Sequence, residues 1–326
     1  MNTVSMITQH DIKTYNGSTI RPRWEIEALK NNNFTNIELI DNFDKTKIKK
    51  IPDSLIHAHQ LSGMLLYSKK YIADIHGLEF IQSMNLSKKY SFLSWKRYGY
   101  FYKSLYYKKI ESKIFKNALH LICSGEDVYE NVSKFQNSTL VRNGVFIEKF
   151  FPSKCENLKI ALVGPFIPGT INYDGKEIIK KVISKLPNVE FIFIGKTDLN
   201  FKKELTFKNT KFLGIVKNYY ETLHQCNVLF SPYPDYARYL GSKNKFLEAA
   251  ASNMPIVTTT SGAIDFPNDL LLIGDSIDEL VEKINLLKNE NLRIDLGKKL
   301  RREIENNYNA NIEIKKILKI YKEFLN

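Results

Sequence analysis

Residues 241 to 257 read Gly-Ser-Lys-Asn-Lys-Phe-Leu-Glu-Ala-Ala-Ala-Ser-Asn-Met-Pro-Ile-Val. Ser242 is placed to cap a helix whose Phe246, Leu247, Ala250 and Ala251 make one apolar face, and Asn253 with Pro255 ends it. Ile256, Val257, Thr258 and Thr259 follow as a strand. A short helix is thus aimed at a sheet with its N-terminus outward. Free N–H groups of the first turn and the macrodipole favour an anion there, and Lys243 and Lys245 add positive charge. Glu248 faces the same place one turn further in. A carboxylate repels a nearby phosphate unless it serves another partner, and ribose hydroxyls are the usual one. The stretch reads as a nucleotide site on an α/β sheet, with an ordinary Ser-capped helix as the plain alternative.

Working outward, strand patterns recur at 158–164, 189–195, 210–216, 227–232, 255–259 and 270–273, with helical stretches between. The first half repeats this at 3–8, 37–40, 54–59, 70–77, 118–124 and 139–145, with Gly17 in a polar loop and a helix from Arg23 to Lys30. Alternation of this kind predicts α/β architecture: two Rossmann-like, doubly wound parallel-sheet domains facing across a cleft. The expected domains are 1–152 and 153–310. Residues 311–326 form a last helix, with apolar Ile314, Ile317, Leu318, Tyr321 and Leu325.

The 326 residues, 43% of them hydrophobic, suffice for two cores and exclude a disordered chain. A net charge of +13 favours an anionic partner: nucleic acid, an acidic membrane face or a phosphorylated substrate. No run approaches the ~18 apolar residues of a spanning helix, and residues 1–10 lack a signal-peptide core, so a soluble, cytoplasmic protein is expected. Cys123, Cys155 and Cys226 indicate neither a disulfide framework nor a metal quartet.

His57 and His59 alternate on a strand like metal ligands, but no carboxylate or thiol cluster accompanies them in sequence, and no metal is expected. His76-Gly77 closes the fourth strand, where open α/β sheets bind ligands; a structural histidine capping that strand is the alternative. Between Lys88 and Lys116 the chain is aromatic and basic, with Glu111 its single acid. Phe92, Trp95, Gly99, Tyr102 and Tyr106 share a helical stripe among lysines that include Lys96, Lys103 and the nearby Arg97. Three readings stay open: a helix lying on a membrane, a nucleic-acid surface, or a stripe packed on the first sheet with a solvated basic face.

The segment Ser242-Lys243-Asn244-Lys245-Phe246-Leu247-Glu248 resembles the donor site of retaining, family-4-like glycosyltransferases of the GT-B fold, where a Glu, seven residues, Glu motif sits on such a helix. The second Glu is matched by Glu248, while the first position falls on Leu240. His76-Gly77, Asn143-Gly144-Val145 and Phe150-Phe151-Pro152 resemble further elements of that group in the same order. The resemblance implies a donor site that includes Gly17, Gly195, Ile215, Val216, Gly241, Ser242, Lys243, Asn244 and Glu248, with the nucleobase on the edge near Gly195 and Ile215-Val216. It implies His76 beside the reacting sugar and Lys245 at the leaving diphosphate. The loop Gly164 to Gly169 lacks the basic residues the family has there, so Arg238, Lys243 and Lys245 are the candidate cations.

The expected protein is a retaining glycosyltransferase moving a sugar from a nucleotide-diphosphate donor to a glycan or lipid-linked acceptor at the cytoplasmic membrane face. No cofactor or metal is expected; nucleotide sugar, acceptor and an anionic membrane are the expected partners, nucleic acid is not. Trp95, Lys96, Arg97 and Lys103 are the candidate membrane or acceptor residues. The alternative is a catalytically inactive nucleotide-binding subunit supporting a partner transferase, and epimerases of the same fold are a further rival.

Overall fold

The alternating pattern becomes two six-stranded sheets in which every neighbouring pair of strands is parallel. The computed structural model describes residues 3–13, 17–51, 54–153, 155–237, 243–264 and 266–325. The chain divides into two compact units, residues 1–146 with 239–244 and 307–326, and residues 147–238 with 245–306.

In the first unit β1 (Val4–Ile7), α1 (Gly17–Asn31), β2 (Ile37–Ile40), α2 (Lys45–Lys50), β3 (Leu55–His59) and β4 (Tyr71–Ile75) are followed by α3 (Glu79–Lys88), α4 (Trp95–Asn117), β5 (His120–Cys123), α5 (Glu126–Val132) and β6 (Ser138–Leu140). The strand order is β2-β1-β3-β4-β5-β6. Alternate side chains of a strand face opposite ways, so Ile56, Ala58, Tyr71 and Ala73 join one core with Ile114 and Phe115 of α4. Leu55 and Ile72 face the other core with Trp24 and Leu29 of α1. Helix α1 starts at Gly17 rather than Arg23 and runs through Pro22, so Gly17 is its first residue and not a loop glycine. The early turns are held by burial of Arg21 and Glu25, an ion pair one turn apart at 3.0 Å.

The second unit contains β7 (Lys159–Val163), α6 (Ile171–Asp174), α7 (Lys176–Lys185), β8 (Glu190–Ile194), α8 (Leu199–Glu204), β9 (Thr210–Gly214), α9 (Tyr219–Leu223) and β10 (Val228–Ser231). It continues with α10 (Asn244–Ala251), β11 (Ile256–Thr258), α11 (Thr260–Ala263), β12 (Leu272–Ile273), α12 (Ile277–Leu286) and α13 (Glu290–Asn307). Its order, β12-β11-β10-β7-β8-β9, is that of a doubly wound dinucleotide-type sheet. Helix α10 is stopped just past Ala251 by Asn253, held in the left-handed region at φ 56°. Helix α13 crosses at Gly297, where a Cβ would lie 1.9 Å from the Asn253 carbonyl oxygen, and Arg301 of α13 donates to the Ala251 carbonyl.

The last helix, α14 (Ala310–Leu325), packs on α1 and belongs to the first unit. The units divide at 146/147 and not at 152, because Phe146 is part of the first core while Phe150 and Phe151 stack on Tyr220 and His224 of the second unit. Cys123 and Cys226 are buried free thiols.

Candidate active site

The strand order of the second sheet reverses between β10 and β7, and in such sheets the carboxyl ends of those two strands border the ligand crevice. Lys245, in the first turn of α10, points there. Its Nζ donates to Asn172 Oδ1 at 2.7 Å, approaches the carbonyl of Val163 at the end of β7 at 3.4 Å, and lies 4.9 Å from the centre of the Tyr233 ring after β10. The Asn172 amide also donates to Pro165 O at 3.1 Å, which ties the loop after β7 to the lysine. That loop carries no base, so Lys245 is the cation delivered to its mouth.

Glu248 follows one turn later, as the spacing requires. Its Oε2 accepts a 2.6 Å hydrogen bond from the Tyr219 hydroxyl. Burial pushes the carboxyl up to about 7, against the opposing pull of Tyr219 and Lys245. Gly195 closes β8 at φ 127°, and a Cβ there would meet the Gly164 carbonyl oxygen at 2.9 Å, so the loops after β7 and β8 touch through backbone. Ile215 is 81% exposed beyond β9, open to an apolar contact, and Val216 is half-buried.

Lys243 is buried, and Asn244 opens α10. Asn244 Oδ1 accepts from the Asn143 amide at 3.1 Å within the first unit. Arg238, Gly241 and Ser242, together with Leu240, lie outside the described residues. Tyr219, Asn172 and Tyr233, which hold the two charged side chains in place, were missed by sequence reading; their separations from α10 follow no local pattern.

In the first unit His76 lies just past β4 with its side chain 12% exposed. Its Nε2 is 2.9 Å from His59 Nδ1 and 3.6 Å from Asp74 Oδ1. Burial lowers its pKa to about 3, which keeps the ring neutral. The expectation that no carboxylate accompanies His57 and His59 is overturned. Parallel pairing sets His59 opposite Asp74, the two-residue period keeps His57 on the same face, and α1 lays Glu25 over it. Arg21 Nε donates to Asp74 Oδ1 at 2.8 Å, and Arg21 Nη1 binds Val141 O and Asn143 Oδ1. Burial raises Asp74, but the Arg21 guanidinium and the His57 contact hold it well below the usual carboxylate range, whereas burial and Asp74 drive Glu25 well above it.

Helix α4 buries Ser104, Glu111, Ile114 and Phe115 and turns its aromatic stripe outward. Phe92, Trp95 and Tyr102 are 70%, 90% and 66% exposed, so the stripe does not pack on the sheet. Arg97 stacks on Phe92 at 4.1 Å, and Lys96 and Lys103 lie over Tyr90 and Tyr107. The single acid, Glu111, points inward and accepts the backbone N–H groups of Glu79 and Phe80, leaving no acid on the outer face.

Residues 158–290, which include the whole crevice of the second sheet, match the family model of the glycosyl transferases group 1. The match covers the second sheet and its crevice, less than half of the chain. No curated protein matches the chain by sequence. Solved structures share its fold: Anabaena Alr3699/HepE in complex with UDP and glucose is 12% identical at a TM-score of 0.71, covering 99% of this chain and 100% of that one. WaaG, a glycosyltransferase involved in lipopolysaccharide biosynthesis, is 12% identical at 0.71, covering 98% and 99%. A glycosyltransferase from Rickettsia africae is 14% identical at 0.69, covering 99% and 98%. These likenesses establish the GT-B fold. Among the described residues no helix is long and apolar enough to cross a membrane.

Proposed function

We propose that this glycosyltransferase moves a sugar, with retention of anomeric configuration, from a nucleotide-diphosphate sugar to a glycan or lipid-linked acceptor at a membrane face. The observation that carries the reading is Lys245 at the crevice of the second sheet with Glu248 one turn behind it. Lys243, Lys245 and the N–H groups opening α10 meet the diphosphate, with Arg238, Gly241 and Ser242 assigned to the same task. Stabilisation there grows as the glycosidic bond breaks and charge builds on the leaving group. Glu248 accepts hydrogen bonds from the ribose, while Gly195, Ile215 and Val216 border the base. His76, neutral, is assigned to the reacting sugar, with Gly17 opening α1 in the same unit, and the departing phosphate serves as base. UDP-sugars are the first donors to test, because a structural relative binds UDP-glucose.

Incubating the purified protein with a panel of nucleotide sugars should give transfer, or slow hydrolysis with the released sugar initially in the donor's configuration. Nucleotide binding without turnover would favour the inactive-subunit reading instead.

The membrane part rests on α4, whose outward face combines Trp95 and Tyr102 with Lys96, Arg97 and Lys103. A lysine near an anionic surface contributes about 1 kcal/mol, so four or five engaged residues give firm, salt-sensitive binding. Vesicles rich in anionic lipid should sediment the protein at low salt and release it at high salt. Equal recovery on neutral vesicles would sink the membrane reading, and a shift assay with RNA or DNA would expose a nucleic-acid surface.

A further inference from the structure

On the α1 side of the first sheet, buried polar atoms without hydrogen-bond partners converge on one point. Glu25 Oε2, His57 Nε2, His59 Nε2 and Asp74 Oδ2 are all buried and unpartnered. One ligand atom from each of these four residues lies within 4.8 Å of every other. His57 Nε2 is 3.4 Å from Asp74 Oδ2, and His59 Nε2 is 3.5 Å from Glu25 Oε2. A tetrahedral ion with bonds of about 2.0–2.1 Å spaces its ligands by about 3.3–3.4 Å. We propose that Glu25, His57, His59 and Asp74 form a closed structural site for a divalent cation, with zinc the best fit.

The far atoms of His57, His59 and Asp74 are hydrogen-bonded, and that of Glu25 lies in ion-pair range of Arg21. Tyr321 Oη is 2.6 Å from His57 Nδ1, and His76 Nε2 is 2.9 Å from His59 Nδ1. Arg21 Nε lies 2.8 Å from Asp74 Oδ1 and 3.0 Å from Glu25 Oε1. Outer partners of this kind occupy Nδ1 of each ring, orient it with Nε2 toward the shared point, and set Asp74 by its other oxygen. The arrangement is therefore that of four oriented ligands. Charge does not oppose it: with both ligand carboxylates ionised on the metal and neutral imidazoles, Arg21, Glu25 and Asp74 leave one net negative charge for a divalent ion to meet. Two imidazoles with two carboxylates suit zinc better than calcium or magnesium, which prefer oxygen alone and more ligands. Four protein ligands complete the shell, so the ion would be structural and would brace His76 through His59.

Because the site is closed, metal must enter during folding. The test is metal analysis of the full chain, free of any affinity tag, expressed in zinc- or cobalt-supplemented medium. About one zinc per chain should survive desalting, and the cobalt form should show the visible bands of a four-coordinate ion. His59→Asn and Glu25→Gln should lose the metal, while Tyr321→Phe, which keeps all four ligands, should retain it. Wild type refolded without metal should melt several degrees below the protein refolded with zinc. A folded, metal-free wild type whose melting is indifferent to zinc would overturn the site and leave a proton-sharing cluster in its place. So would a His59→Asn protein that holds the same metal. If a variant fails to fold, the wild-type measurements alone decide.

Discussion

At the middle of the first sheet, strands β3 and β4 turn His57, His59 and Asp74 inward against Arg21 and Glu25. At the matching place in the second sheet, β8 and β10 turn Phe191, Phe193 and Phe230 inward against Phe166 and Phe201. Two parallel six-stranded sheets thus enclose a charged cluster in one unit and a stack of aromatic rings in the other. Apolar packing tolerates small changes because each contact is weak and replaceable. A buried ionic cluster does not, since removing one member strands the charge of another.

The largest expected effect follows from that difference. Arg21→Leu should cost about 3–5 kcal/mol in urea unfolding, because Asp74 and Glu25 lose their shared cation. A loss below about 1 kcal/mol would mean that the cluster is not held by charge. The donor site comes next. Glu248→Gln should raise the donor KM roughly ten- to a hundredfold, the worth of about 1.5–3 kcal/mol for a hydrogen bond to a charged group, with kcat nearly kept. Lys245→Ala should lower kcat as well, since its cation meets charge that develops during reaction. Should both constants stay within about twofold in Glu248→Gln, the donor placement fails. In the aromatic core, Phe193→Leu should cost only about 1–2 kcal/mol, through lost stacking on Phe212 at 4.4 Å. A cost matching Arg21→Leu would erase the contrast between the units.

The smallest effect is a pH dependence. The folded Glu248 carboxyl titrates near 7, above the ordinary 4.5, so folding favours its protonated form. That stability is complete below about pH 4.5 and is lost as pH rises to 7. The melting-temperature difference between wild type and Glu248→Gln should therefore fall between pH 5 and 7 and level off above. Donor binding should move oppositely, improving through pH 7 as the accepting carboxylate forms. A difference flat with pH would show that Glu248 is not buried as described.

Most strands were legible because they are apolar runs bounded by turn residues, and α10 because its apolar face and stop are contiguous. The start of α1 was not: Gly17, Ser18 and Pro22 are poor helix formers, and only the tertiary burial of Arg21 makes that turn worthwhile. His57-Ala-His59 carried half of the charged cluster in plain view. Its partners were invisible because strand register, not sequence distance, puts Asp74 beside His59, and a crossover helix brings Glu25. The proposed donor site divided in the same way. The Lys-x-x-Glu spacing announced itself, whereas Tyr219 and Asn172 reach it from other elements, 29 residues from Glu248 and 73 from Lys245.

The foot of α10 has a mechanical meaning. With α13 seated at Gly297 against the Asn253 carbonyl and Arg301 gripping the last turn, the helix stands like a pillar on a fixed base. Under the donor placement proposed above, a load set on its top by an anion would pass into α13, and the N–H groups and Lys245 would rest on a braced base.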